Sequence, residues 1–562
     1  MKKVNHSGNP ECKIWVIGEN PGETEEEKGI PFVGKSGELL RQALDLAGYP
    51  NDTYFGNVCN YRPPGNIYQA GEHRHIAEGV AELDALVLKY KPKVILACGN
   101  VPLQALTGKT GIDSYRGSIL PVNNDTKLVG TIHPSFILRN PADYPLFSFD
   151  IARALNELNI DGLNYLPRNF TLYPQGLELH NWRTKLLSAK FLACDIESTY
   201  ETSEILCVGF ALSPTEGVCL DFKSFEQAEL IKEILSSNVK KIFQFGIFDT
   251  LMLLNNAIEV HNYTDDTMVA QHILEPELPR SLGFLCSTYT REPYYKGDGR
   301  ANIPLDTKVT STARSYNKKE LGIYNCKDCC VTYEIHLIQL QELESQPDKL
   351  KYYRDEMEMI EVANNISHNG MMVDVELRQK MLDSQLVRWE RLQYMFNGLY
   401  SYISKVPTVI NANSPKVMSR ILYKEFGLPE KKNPKTKKPT TNDDALVALI
   451  TIISSNIFKV KSQEHKTTWG LKLQFVQLLR EIRGLRKLVS SYLANDISND
   501  GRVRGTFKIA SVETGRWACD MYVDNTGFNL MTFPRSSLEV YDDPKVPNKE
   551  ELLAMFKIEE EE

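Results

Sequence analysis

No stretch of the 562 residues comes near the ~18 consecutive apolar positions of a membrane span. The opening residues, MKKVNHSGNPECK, set two lysines before polar positions, without the apolar core of a signal peptide. A cytoplasmic protein with no membrane partner is therefore expected. A disulfide framework is also missing: the 11 cysteines are odd in number and occur in apolar runs such as ILACG, FLACD and ILCVG. Such thiols are expected to be reduced and buried. Cys326, Cys329 and Cys330 stand close together but lack a second pair at zinc-site spacing, so packing is their expected role. Excess positive charge is absent as well, since 65 Lys and Arg face 72 Asp and Glu for a net charge of −7. That removes any global signature of nucleic-acid binding, although a basic groove balanced by metal-binding acids gives the same sum.

What is present is ordinary globular material, 42% hydrophobic and 24% charged, which excludes collagen-like and disordered classes. At about 150 residues per domain, roughly three or four domains are expected. Apolar, β-rich runs at 13–18 (KIWVIG), 93–99 (KVILACG) and 127–132 (KLVGTI) end in Gly, Asn or His-Pro loops and alternate with helical patterns. This is the rhythm of a parallel α/β sheet. A second set, FLACDIES, ILCVGFAL, GVCLDF and KIFQF, gives close-spaced strands, and beyond about 346 helical periodicity dominates. The expected fold is multidomain α/β, divided at 1–165, 166–345 and 346–540, with an acidic tail at 541–562. No internal repeat is evident.

After the first strand run comes Gly18-Glu19-Asn20-Pro21-Gly22, then Pro31-Phe32-Val33-Gly34. A Gly and Pro loop at a strand end brings backbone and short polar side chains close to a ligand. An ordered set follows: Asn57 in GNVCNYRPPGN, GIDSYRG at 111–117, and His133-Pro134-Ser135 continuing to Arg139. With these motifs residues 10–160 resemble the uracil-DNA glycosylase superfamily, and its family 4 branch most closely. The resemblance implies a three-layer α/β domain in which a flipped base stacks on Phe32 and is read by the Asn57 amide. It also implies that His133 stabilises the departing uracil and that the loop through Arg139 fills the vacated duplex. Glu19 or Asn20 would orient the water. The family's iron–sulfur cluster needs four cysteines. Here Tyr61 stands at one ligand position and only Cys12 lies upstream, so no cluster is expected.

In Ala193-Cys194-Asp195-Ile196-Glu197 the carboxylates are spaced i, i+2, which on a strand turns both to one face. Tyr324 and Asp328 are spaced i, i+4, which on a helix places phenol and carboxylate on one side. With Asp249, four carboxylates and a tyrosine can converge, an all-oxygen set suited to two Mg²⁺ or Mn²⁺ ions and phosphodiester hydrolysis. The ordered set, together with Asp266-Thr267-Met268 and Ser281-Leu282-Gly283, resembles the DEDDy 3′ to 5′ proofreading exonuclease of family A DNA polymerases, a ribonuclease H-like fold. On that resemblance Asp195, Glu197, Asp249 and Asp328 hold metal and Tyr324 orients water. Phe245 stands where the family usually has an Asn.

Further on, HNGMMVD at 368–374, INANSP at 410–415, the lysine-rich loop 430–441, RGLRKL at 483–488 and ETGR at 513–516 resemble the mainly helical thumb of those polymerases. Lys431, Lys432, Arg483, Lys487 and Arg516 are the expected DNA contacts. No palm or fingers motif follows. The expected protein is a phage-type replication subunit of the host cytoplasm that acts on single-stranded 3′ ends and primer-template DNA. A separate polypeptide would supply palm and fingers, and residues 549–558 form a candidate docking helix. The alternatives are a uracil-sensing DNA-binding scaffold with an inactive first domain, and a truncated polymerase.

Overall fold

The computed structural model describes residues 2–64, 73–199, 203–296, 317–434 and 436–532, with the side chains of 73–75 left aside. Residues 541–562 and the docking segment 549–558 lie outside this range. The described residues form two compact units, one within 1–361 and 509–516, the other within 362–508 and 517–532.

The first unit is built on two sheets. The first is ordered β2-β1-β3-β5-β4, from β1 (Ile14–Gly18), β2 (Tyr54–Asn57), β3 (Val94–Cys98), β4 (Ile119–Pro121) and β5 (Lys127–Thr131). β1, β3 and β5 are buried along their whole lengths, as parallel strands covered by helices on both faces must be. One face packs Val16, Leu96 and Val129 beneath the helices Lys35–Ala47 and Tyr144–Asn156. The other packs Trp15, Ile95 and Leu128 beneath His73–Tyr90. The sheet is not wholly parallel, because β4 runs antiparallel to β5 at the edge.

The second sheet is ordered β11-β10-β7-β8-β9-β6, from β6 (Asn169–Leu172), β7 (Phe191–Ser198), β8 (Ile205–Ser213), β9 (Glu216–Asp221), β10 (Lys240–Phe243) and β11 (Tyr263–Asp266). β7, β8 and β9 form an antiparallel meander, while β6, β10 and β11 add in parallel. The helix Lys318–Glu344 crosses this sheet, started by Asn317, whose side chain accepts from the Lys319 and Glu320 amides. It lies close because Gly209 has no side chain: a Cβ there would come within 2.8 Å of Cys329 Sγ and would collide with Asn325 Oδ1. All 11 cysteines are buried and unpaired, and Cys326, Cys329 and Cys330 pack against the sheet.

The second unit is mainly helical. The helices Val375–Ser404, Asp443–Lys459 and Gln463–Leu488 enclose a core in which Phe396 stacks on Phe475, ring centroids 4.5 Å apart, and Phe426 meets the same ring edge-on at 5.0 Å. No helix among the described residues is long and apolar enough to cross a membrane.

Candidate functional site

In the first sheet the expected pocket residues sit at the carboxyl ends of neighbouring parallel strands, where open α/β sheets bind ligands. Gly18 ends β1, Asn57 ends β2, Gly99 follows β3 and His133 follows β5. A Cβ on Gly18 would stand 2.6 Å from Asn57 Oδ1 and 2.7 Å from Phe32 Cζ, so the bare glycine lets ring and amide meet over the strand end. Phe32 adopts φ 55°, a left-handed conformation uncommon for a bulky residue, and Arg41 holds it by donating to the Phe32 carbonyl at 2.9 Å. Both Phe32 and Asn57 are buried.

His133 caps the short helix Pro134–Arg139. Its Nδ1 accepts from the Ser135 amide at 3.2 Å and lies 2.8 Å from the Ser135 hydroxyl, which assigns the ring proton to Nε2. Burial, with help from Arg139, lowers its pKa to about 4, so the imidazole is neutral at pH 7. Glu19 is half-buried and its carboxyl is raised by desolvation. Asn20 is half-buried too and donates to the Pro21 carbonyl at 3.0 Å. Arg139 is exposed beside the half-covered ring of Phe136, and Leu138 is 48% exposed, so this helix presents apolar side chains outward next to the pocket.

A four-thiolate cluster does not fit this domain. Cys12 is packed in the core, Cys59 donates to the Tyr61 carbonyl, and Tyr61 bridges to Lys3. A polar network ties the N-terminal segment to β2 instead. His6 contacts the Tyr54 hydroxyl at 2.6 Å and Asn60 Oδ1 at 3.1 Å, while Glu82 accepts from Asn60 at 3.0 Å and from Lys3. Replacing His6 with Ala is expected to cost about 1–2 kcal/mol through lost, partly buried hydrogen bonds. Calorimetry should show a Tm lower by roughly 2–4 °C.

On the second sheet the spacing arguments hold in space. Asp195 and Glu197 project from β7, Asp328 from the helix Lys318–Glu344, and one oxygen of each lies within 4.8 Å of the others. Three ionised carboxylates so close repel one another unless a cation or a proton offsets their charge. Burial first, then Glu197 and Asp328, push the Asp195 carboxyl well above its ordinary range. Asp249 lies beside this trio; its Oδ1 accepts from the Ile196 amide at 3.0 Å, and burial pushes its pKa up to about 7. The oxygen-only donor set fits Mg²⁺ or Mn²⁺. Phe245 caps the helix Gly246–Asn255 in the left-handed region, φ 61°.

Three groups were not foreseen. Asn325 donates to Asp195 Oδ2 at 2.8 Å, fixing that carboxylate from the helix. The Tyr295 hydroxyl donates to Asp328 Oδ1 at 2.6 Å. Lys296 Nζ donates to the Tyr324 hydroxyl at 2.8 Å and to Asp328 Oδ2. Burial opposes the lysine's charge, but Asp328, Tyr324 and Asp195 outweigh it and hold the ammonium above its ordinary pKa. Burial and Asp328 raise the Tyr324 phenol, keeping it protonated.

Of the basic residues expected to meet DNA, Lys432 and Lys487 are exposed in the second unit and Lys431 is half-buried. Lys432 lies 3.9 Å from Glu430. Arg516 is exposed in the first unit. Arg483 is spent differently: its guanidinium donates to the Ala412 carbonyl at 2.8 Å and to the Thr441 carbonyl, tying the end of the lysine-rich loop to the helix Gln463–Leu488.

Residues 6–159 match the model of the uracil DNA glycosylase superfamily, and residues 175–344 match that of a 3′-5′ exonuclease. A type-4 uracil-DNA glycosylase of Thermotoga maritima is 34% identical over 138 residues, 24% of this chain and 70% of that protein. DNA polymerase I of Pseudomonas aeruginosa is 25% identical over 366 residues, 60% of this chain and 36% of the polymerase. A DNA polymerase of Bacillus phage SP01 is 28% identical over 152 residues, 27% of this chain and 16% of that protein. The chain thus spans a minor part of the length of these polymerases.

Proposed function

We infer that this chain, which belongs to the uracil-DNA glycosylase superfamily and joins that domain to the 3′–5′ exonuclease domain and thumb region of family A DNA polymerases, is a phage-type replication protein that trims DNA 3′ ends. The observation that carries this reading is the carboxylate trio Asp195, Glu197 and Asp328 beside Tyr324. Asp195, Glu197, Asp249 and Asp328 would hold two Mg²⁺ or Mn²⁺ ions, which when bound activate water and stabilise the leaving oxygen of a phosphodiester. Asn325 and Tyr295 fix the rotamers of Asp195 and Asp328, so the anionic site is shaped before DNA arrives. The protonated Tyr324 phenol donates toward the attacking water and orients it.

The first domain, on this reading, excises uracil. Phe32 supplies the stacking face, the Asn57 amide both donates to and accepts from the base edge, and the neutral His133 offers its Nε2 proton to the departing ring. Glu19 or Asn20 orients water at the sugar carbon. Arg139, with Phe136 and Leu138, enters the space the base leaves. The misfit of the iron–sulfur set favours a second reading, in which this domain senses uracil without cleaving. One incubation separates these readings. The purified chain is given 3′- and 5′-labelled DNA, with and without a single uracil, in EDTA and in Mg²⁺. Release of 3′ mononucleotides in Mg²⁺ alone supports the nuclease; abasic sites in EDTA support excision.

Lys431, Lys432, Lys487 and Arg516 are proposed to meet the backbone of primer-template DNA, with Arg483 anchoring the loop that carries the first two. The proposed domains are 1–165, 166–345 and 346–540, in the cytoplasm of the host cell. Palm and fingers are proposed to lie outside these 562 residues. Nucleotidyl transfer needs two palm aspartates at the primer end, and no segment of these residues resembles that motif. The 562 residues are therefore expected not to extend a primer with all four nucleotides; extension by the purified chain would refute the division.

A further inference from the structure

Residues 290–296 (TREPYYK) run between the two sheets of the first unit and touch both sides with neighbouring side chains. On the glycosylase side, the Arg291 guanidinium makes a two-point pair with Glu157 at 2.8 Å and donates to the Leu163 carbonyl. Arg153 in turn donates to the carbonyls of Ser287, Thr288 and Thr290. The Tyr294 amide donates to Ser118 Oγ at 3.2 Å, and its ring meets Tyr115 edge-on at 5.2 Å, packed against the core around Trp15. On the exonuclease side, Glu292 pairs with Lys327 and Arg168, and the Tyr295 ring packs against the core of Leu282, Leu285 and Val331. The next two polar groups reach the carboxylate trio: Tyr295 holds Asp328 Oδ1, and Lys296 holds Asp328 Oδ2 and Tyr324. Adjacent residues of an extended segment point to opposite sides, so the step from Tyr294 to Tyr295 passes directly from one domain's core to the other's metal ligand. Gly283 leaves room for this: a Cβ there would stand 2.6 Å from the Tyr294 ring.

We propose that 290–296 is a positioning strap through which the glycosylase domain holds the exonuclease site, with Tyr294 as the residue that docks it. The inference rests on the nuclease reading of that site. Lys296 is a cation already seated on Asp328, which a metal ion must displace, and it also orients Tyr324. Loosening the strap therefore has two opposite effects: Asp328 sheds the ammonium that competes directly with a metal ion, which outweighs the loss of its neutral hydrogen bond from Tyr295, and Tyr324 loses its orientation. A merely structural role would weaken both together.

The test uses the full chain with Tyr294→Ala, Tyr294→Phe and Ser118→Ala. Mn²⁺ affinity is measured by electron paramagnetic resonance without DNA, and 3′-end hydrolysis at saturating Mn²⁺. For Tyr294→Ala the expected result is about tenfold tighter Mn²⁺ binding, the scale of one lost charge-assisted hydrogen bond, with hydrolysis slower by about tenfold or more. Ser118→Ala should shift both in the same directions by a smaller factor, and Tyr294→Phe, which keeps the ring, should match wild type within about twofold. Affinity and rate both unchanged in Tyr294→Ala and Ser118→Ala would overturn the strap, as would both falling together with Tm. A wild-type chain that binds Mn²⁺ without cleaving refutes the nuclease reading alone, and the affinity comparison still judges the strap.

Discussion

Replacing Asp195 and Glu197 together with alanine is expected to abolish Mg²⁺-dependent release of nucleotides from 3′ ends, a fall on the order of 10⁴-fold or more. Both side chains leave the same face of β7 and share the site with Asp328, so their loss removes two of the three mutually adjacent carboxylates. Metal ions contribute several kcal/mol of transition-state charge stabilisation, and each 1.36 kcal/mol is about tenfold in rate. The fold is expected to survive, because Cys194 and Ile196 on one face of the strand and Ala193 on the other keep their buried contacts. Stability should even rise in EDTA. The Asp195 carboxyl is held far above its ordinary pKa by burial and by its neighbours. A raised carboxyl keeps its proton in the folded chain and loses it in the unfolded one, so its stabilising share is full at low pH and is lost as pH climbs through the folded pKa. At pH 8 the wild-type site is therefore a burden that alanine relieves. Calorimetry should show a higher Tm for the double variant in EDTA and no further gain on adding Mg²⁺, whereas Mg²⁺ should stabilise wild type by mass action. Digestion at the wild-type rate by the double variant would end the nuclease reading.

The parts of this site that were legible in the sequence are those whose geometry is local. The i, i+2 pair Asp195 and Glu197 needs only a strand, and the i, i+4 pair Tyr324 and Asp328 needs only a helix; both elements formed as periodicity required. Asn325, Tyr295 and Lys296 were hidden because their partners lie across tertiary contacts. Asn325 meets Asp195 from 130 positions away in the chain, and that contact depends on Gly209 letting helix and sheet approach. The strands β2, β4, β6 and β11 are not among the apolar runs of the sequence for a related reason: each has only three or four residues and becomes a strand by pairing with a neighbour already in place, whereas the equally short β10 stands out by its apolar run KIFQF. Arg483 shows that a charged side chain can also be taken up by the fold. Its guanidinium satisfies backbone carbonyls of Ala412 and Thr441, a demand that composition does not reveal.

Uracil excision by the first domain is expected to persist in EDTA, because the groups proposed for it are an amide, an aromatic ring and an imidazole. His133→Ala should lower its rate about 10²–10³-fold, the usual cost of removing one donor to developing negative charge. The argument turns on the tautomer. Because Nδ1 accepts from the Ser135 amide, the proton stays on Nε2, and the lowered pKa of about 4 keeps the ring neutral. Its titration therefore lies well below neutrality, and excision should be flat between pH 6 and 8 as far as His133 is concerned. Acid acts on the fold through the same residue. With the folded pKa depressed below the unfolded 6.5, stability from His133 is full above the unfolded value and is lost as pH falls through the folded one. Protonated Nδ1 cannot accept from Ser135, so the helix Pro134–Arg139 loses its cap as pH falls toward 4. Asn57→Asp should disturb base reading separately, since an ionised carboxylate accepts without donating. The measurement is alkali-labile cleavage of single-stranded and duplex DNA bearing one uracil, in EDTA. A wild-type chain that yields no such sites, yet binds the uracil strand more tightly than the thymine control in a manner lost in Asn57→Asp, would transfer the domain from excision to uracil sensing.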